Sequence, residues 1–119
     1  MKAITKYIEE RIPESPQLSI ILGSGLGNFI NELEKKIFIP YSEIPNYPVS
    51  SVSGHAGQWV FGYIHNKPVL CANGRFHVYE GFSLEESSIT VSVIQSLGCR
   101  SVIITNAAGC LNANWEIGN

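Results

Sequence analysis

Apolar residues recur along this chain at two periods, and the switches between them lay out a series of helices and strands. Ile4, Ile8 and Ile12, with Tyr7 beside them, share one face at helical spacing, and Pro13 and Pro16 end that helix. Its single apolar stripe predicts a short amphipathic lid. Leu18-Ser19-Ile20-Ile21-Leu22 is a buried-strand pattern that runs into Gly23-Ser24-Gly25-Leu26-Gly27, and residues 28–33 resume helical periodicity. A second strand is expected over residues 36–41. The stretch from there to Gly57 holds Pro45, Pro48 and two glycines with little periodicity and reads as a long ordered loop. Two apolar runs, residues 59–64 and 68–72, flank His65-Asn66-Lys67 as in a hairpin. Leu84, Ile89, Val91, Val93, Ile94 and Leu97 suit a helix packed on more than one side and stopped by Gly98, and residues 101–105 form a last strand.

Strands alternating with helical segments indicate an α/β fold. With 119 residues, 45% of them hydrophobic, the chain can bury one core, and a single domain over residues 1–119 is expected. Residues 112–119 add no closing helix or strand after the last glycine-bearing loop, so the domain is expected to be incomplete at the C-terminus. No internal repeat or low-complexity segment breaks the pattern.

Charge and cysteine usage narrow the function classes. The net charge is -2, and the Lys and Arg residues are scattered rather than gathered in a stripe, which argues against nucleic-acid and anionic-membrane surfaces but leaves room for a small anion site. Cys71, Cys99 and Cys110 are odd in number and lack the spacing of a zinc site, so no metal is expected and the three read as reduced thiols. The N-terminus lacks an apolar signal core, and no apolar run approaches the roughly 18 residues that span a bilayer. The expected compartment is the cytoplasm.

Three short segments carry the candidate chemistry, each following a strand-like run: residues 23–27, Gly74-Arg75-Phe76-His77-Val78-Tyr79-Glu80-Gly81, and Asn106-Ala107-Ala108-Gly109. Neighbouring strands of an α/β sheet deliver their C-terminal loops to one edge, so the three can converge. Gly23, Gly25 and Gly27 let the backbone approach an anion beside a helix N-terminus, and Ser24 adds a hydroxyl. Taken alone, the same glycines make a tight turn with no ligand. A dinucleotide site fits less well, because Asn28 stands where its fingerprint needs Gly or Ala and Glu43 does not end a clear strand.

Arg75 and His77 lie one residue apart, so on extended backbone both project to the same side. The guanidinium can bind two oxygens of an oxyanion, and the imidazole can donate to a third or respond to the anion's proton state. Singly, Arg75 also suits a surface ion pair and His77 a satisfied polar group. Tyr79 follows on the same side, where its hydroxyl could meet a sugar or its ring could pack in the core. Glu80 points the other way and is placed to orient Arg75 or a neighbouring loop. The small side chains of residues 106–109 expose amides suited to an anion nest or to a plain turn. His55, between Gly54 and Ala56-Gly57, could close over the anion or cap its loop.

As an ordered set these motifs closely resemble the trimeric purine nucleoside phosphorylases. The similarity runs over nearly the whole chain, through residues 21–27, Glu43-Ile44-Pro45-Asn46-Tyr47-Pro48, Gly54-His55-Ala56-Gly57, Gly74-Arg75-Phe76-His77 with Tyr79-Glu80-Gly81, and residues 105–109. The resemblance implies a phosphorylase/hydrolase-like three-layer fold with a central mixed β-sheet flanked by helices. It also implies phosphorolysis of the N-glycosidic bond of purine nucleosides to free purine and α-pentose-1-phosphate, in purine salvage. Phosphate is a co-substrate, no cofactor is needed, and the assembly is a homotrimer.

By the same resemblance, phosphate contacts fall to Ser24, Arg75, His77 and the amide of Ala107, with His55 in a phosphate-proximal loop and Tyr79 at the ribose. Gly23, Gly25, Gly27, Glu80, Asn106, Ala108 and Gly109 support them. Family members hold the purine with Glu and Asn residues that lie beyond position 119, so this chain is expected to supply the phosphate half and to turn over little or nothing alone. The methylthioadenosine phosphorylases carry a Thr-Ala-Cys-Gly-type turn where this chain has Asn106-Ala107-Ala108-Gly109, and they fit less well. Asn73 and Cys110 depart from the family pattern, where glutamine and glycine are common. The competing class is an inactive phosphate-binding or structural remnant of such an enzyme.

Overall fold

A computed structural model of the chain describes residues 1–23, 25–49 and 57–118. Five strands form one mixed sheet: β1 (Leu18–Leu22), β2 (Glu34–Pro40), β3 (Gln58–Ile64), β4 (Lys67–Asn73) and β5 (Ser101–Ile104), in the order β2-β3-β4-β1-β5. β2, β3 and β4 run antiparallel as a meander, whereas β1 lies parallel to both β4 and β5. This matches the α/β class and the central mixed sheet that the motifs imply.

Period-2 burial explains the two cores. Ile21, Ile39, Trp59, Phe61, Leu70 and Ala72 point to one face, and Ile20, Leu22, Val60, Val69 and Cys71 to the other. Helices α1 (Lys2–Glu9) and α3 (Ile89–Ser96) cover the first face, burying Ile4, Ile8, Val93 and Ile94. The expected lid is thus a core helix, because Ile4, Ile8 and Ile12 all have a sheet to bury against. The second face is covered through Phe29, Ile30 and Leu33, around a 3-10 helix over Gly27–Glu32. That segment was expected to be an α-helix. Its few residues between a glycine and the start of β2 leave no length for stable α-helical turns, and Asn28 and Asn31 favour turns.

The expected helix over residues 84–97 is two pieces, α2 (Leu84–Ser87) and α3, separated at Ser88. The Ser88 hydroxyl donates to the Glu85 carbonyl at 3.0 Å, offering the backbone a partner outside the helical ladder. Ser83 caps α2 reciprocally with Glu86, each side chain bonding the other's amide at 3.0 Å. The hairpin turn is tighter than the sequence suggests. Ile64 pairs with Lys67, so His65 and Asn66 alone make the turn, both with positive φ (48° and 64°).

On the opposite edge of the sheet, β5 pairs only with β1 among the described residues, and its Val102, Ile103 and Ile104 are 42%, 49% and 56% exposed. Among the described residues no helix is long and apolar enough to cross a membrane.

Candidate functional site

The sheet registers dictate where the three candidate loops emerge. Leu22 of β1 stands opposite Asn73 of β4, and Ile21 stands opposite Ile104 of β5. Three adjacent parallel strands therefore end at one level, releasing Gly23, Gly74 and Thr105 side by side at the C-terminal edge of the sheet, where α/β proteins place their ligands.

Close packing fixes these exits. A Cβ on Gly23 would lie 2.7 Å from the Thr105 carbonyl oxygen and 3.0 Å from the Asn106 Cα, so only glycine lets the two loops meet. The Gly23 amide donates to the Thr105 hydroxyl at 2.8 Å, and that hydroxyl donates to the Ile21 carbonyl at 2.9 Å. Thr105 thus stitches the ends of β1 and β5 together. The sequence offered no sign of this, since a threonine at a strand end looks like any β-branched strand residue. Gly74 adopts a φ of +134°, in the region that favours glycine, and turns the chain so that Arg75 enters the space between the loops.

That space is a cleft of about 640 Å³, lined by Gly23, Gly25 and Gly27, by Asn73, Gly74, Arg75, His77, Tyr79 and Glu80, and by Asn106 and Ala107, with Leu22 at its floor. All three segments contribute, as expected from strand order. Ala108 and Gly109 are exposed and lie outside the lining. Ser24 and His55 lie outside the described residues.

Arg75 dominates the electrostatics. Its Nε and Nη2 are buried and meet no hydrogen-bond partner among the described residues, and it makes no ion pair there. The surface ion pair allowed by the sequence is absent among the described residues. A guanidinium withdrawn from water without a counter-charge costs several kcal/mol, and an oxyanion in the cleft would remove that cost. Glu80 does not neutralise it. Its carboxylate accepts from the His77 backbone amide at 3.3 Å and closes a 3-10 turn over Val78–Glu80, so it orients the loop rather than the arginine.

The His77 imidazole stacks on the Tyr79 ring, with centroids 4.7 Å apart and planes 12° from parallel. Tyr79 itself is 83% exposed, which excludes the core-packing alternative. Asn73 is a lining residue that its role in the sequence did not single out. Its carboxamide faces Gly27, whose Cβ, if present, would lie 3.4 Å from Oδ1. Among the described residues, no group of three or more His, Cys, Asp or Glu side chains is placed to hold a metal ion. Cys71 lies buried in β4 beneath the cleft, and burial pushes its thiol up to about 12, leaving it inert.

Known proteins resemble this chain in sequence and in backbone. The chain is 48% identical over 114 residues to purine nucleoside phosphorylase 1 of Geobacillus stearothermophilus, covering 96% of this chain and 42% of that protein. Against the purine nucleoside phosphorylase of Bos taurus it is 42% identical, covering 96% of this chain and 39% of the relative. Its backbone superposes with a TM-score of 0.91 and 37% identity on the crystal structure of a purine nucleoside phosphorylase in complex with ribose-1-phosphate, over 99% of this chain and 43% of that one. The chain thus spans about two fifths of the length of these relatives. Residues 17–119, which include every strand and all three loops of the cleft, match the model of the phosphorylase superfamily, and the chain belongs to that family.

Proposed function

We propose that this chain forms the phosphate-holding part of a purine nucleoside phosphorylase. The observation that carries this reading is that Arg75 Nε and Nη2 are buried with no partner among the described residues, in a cleft walled by glycine loops and by His77, Tyr79 and Asn73. Such a cleft is chemically suited to a small, doubly charged oxyanion. Arg75 supplies the fixed charge, His77 a further donor, and the backbone around Gly23 and Ala107 the remaining amides.

In the proposed reaction, phosphate lies beneath the sugar. As the bond to the purine lengthens, the sugar gains oxocarbenium character, and the bound anion both stabilises that charge and attacks the anomeric carbon. Tyr79, at the mouth of the cleft, is assigned the ribose, and Ser24 and His55 are assigned to the phosphate on the family resemblance. The remaining proposals are that the whole enzyme acts as a cytoplasmic homotrimer and needs no cofactor. The relatives named as purine nucleoside phosphorylases, one solved with ribose-1-phosphate, support phosphorolysis over a dinucleotide site.

The test is phosphate binding followed calorimetrically, together with inosine phosphorolysis, for this chain and for Arg75→Ala. Binding of millimolar or tighter phosphate that falls at least about tenfold in Arg75→Ala is expected, since hydrogen bonds to charged groups contribute about 1.5–3 kcal/mol. Undiminished binding or turnover in the variant would remove Arg75 from the site. Phosphate binding without turnover is the outcome expected of the phosphate-holding part alone, and turnover by this chain would exclude the second reading, a non-catalytic phosphate-binding member of the family.

A further inference from the structure

Tyr41 follows β2 directly and is 1% exposed, and its phenol reaches Gly74, which lines the cleft. The hydroxyl donates to the Gly74 carbonyl at 2.9 Å, and the backbone amide of Tyr41 donates to the Gly57 carbonyl at 3.1 Å. The ring fills the space beside both glycines: a Cβ on Gly74 would lie 3.3 Å from it, and one on Gly57 would overlap it. Phe76 packs on the opposite side of Arg75 in sequence, with its ring 5.4 Å from that of Tyr41. Arg75 is therefore bracketed by two residues that Tyr41 holds, one by a hydrogen bond and one by ring contact.

We infer that Tyr41 is a positioning residue for the Arg75 guanidinium, acting through the Gly74 carbonyl and the Phe76 ring. The inference rests on the phosphate reading of the cleft. A glycine at φ +134° is held only by its surroundings, because glycine loses more conformational freedom on ordering than any other residue. The Tyr41 bond is the one side-chain hydrogen bond to the Gly74 backbone among the described residues. Burial, and after it the neighbouring Tyr47, push the Tyr41 phenol well above its ordinary value, so it remains a donor across the accessible pH range. Without that bond the peptide between Gly74 and Arg75 is free to rotate, and the guanidinium loses the fixed approach that bidentate recognition requires.

Tyr41→Phe keeps the ring and deletes the hydroxyl. Titrated with inorganic phosphate, the 119-residue variant is expected to bind about fivefold to tenfold more weakly than the parent, the effect of one lost hydrogen bond, with a shifted Arg75 Nε–H resonance. Val69→Ala is the control. It lies on the opposite face of the sheet, at the end of β4 away from the cleft, and should lower the melting temperature while leaving phosphate affinity within about twofold. Parental affinity in Tyr41→Phe, with Arg75→Ala still losing phosphate, overturns the positioning role and leaves the anion site standing. Equal losses in Tyr41→Phe and Val69→Ala also overturn it, since affinity would then follow stability. So does a Tyr41→Phe chain without native circular dichroism, which would assign the hydroxyl to the fold as a whole. Absence of phosphate binding by the parent removes the anion reading and this role with it.

Discussion

Gly23 has no side chain because Thr105 and Asn106 occupy the place where one would go. Gly23→Ala must push two strand ends apart, and it is expected to destabilise the fold by about 1–3 kcal/mol while weakening phosphate binding. Urea unfolding alongside a phosphate titration checks both, and an alanine variant that matches the parent in each would show that the loops do not need their contact. Cys71 supplies a pH dependence. Its thiol is held up to about 12 by burial against an ordinary 9.0, so the folded chain keeps a proton that the unfolded chain releases. The sign follows: the contribution is whole below pH 9 and is lost as pH rises towards 12. Buried Tyr47, raised to about 12, and Tyr41, raised well above its ordinary value, act in the same direction from a higher starting pH, since an unfolded phenol ionises near 10.0. Unfolding free energy measured from neutral to alkaline pH should decline above that point, and Cys71→Ala should decline less steeply. An unchanged slope would relocate the effect to the tyrosines.

Among the elements, those with one strong period are legible in the sequence and those set by local hydrogen bonding are not. β1, β3 and β4 stand out because continuous apolar runs of five to seven residues can only be buried strands when glycine or a turn bounds them. The break at Ser88 escapes a sequence reading, because apolar residues recur on both sides of it with no proline or glycine between Leu84 and Ser96, while a hydroxyl redirects one carbonyl. The Ser83–Glu86 capping box, by contrast, is written in the sequence as Ser-Leu-Glu-Glu and marks the start of α2 directly. In the β3–β4 turn, Asn66 adopts a φ that glycine accepts at less cost. Asn66→Gly should therefore raise stability by about 0.5 kcal/mol or more, seen as a higher melting temperature. A drop would mean that the Asn66 side chain contributes something its turn geometry does not show.

At the scale of the whole molecule, convergence of the candidate loops is legible because it needs only strand order and parallel direction, both of which apolar runs followed by glycines imply. What holds the loops is not legible. Tyr41 and Thr105 act across long sequence separations, through a phenol and a hydroxyl that elsewhere would be ordinary strand-end residues. The sheet also has unequal edges. β5 offers its backbone and three exposed β-branched side chains, the combination that promotes strand-to-strand association. Sedimentation velocity over a concentration series should show self-association that Ile103→Lys suppresses, and concentration-independent behaviour of the parent would contradict this.

The bond between Gly23 and Thr105 spans 82 positions of chain, and the atoms that crowd Gly23 are the backbone of Thr105 and Asn106. Since main chain rather than a side chain stands in the way, no exchange of residue at position 105 makes room at position 23, and relief can come only from movement of a whole strand end.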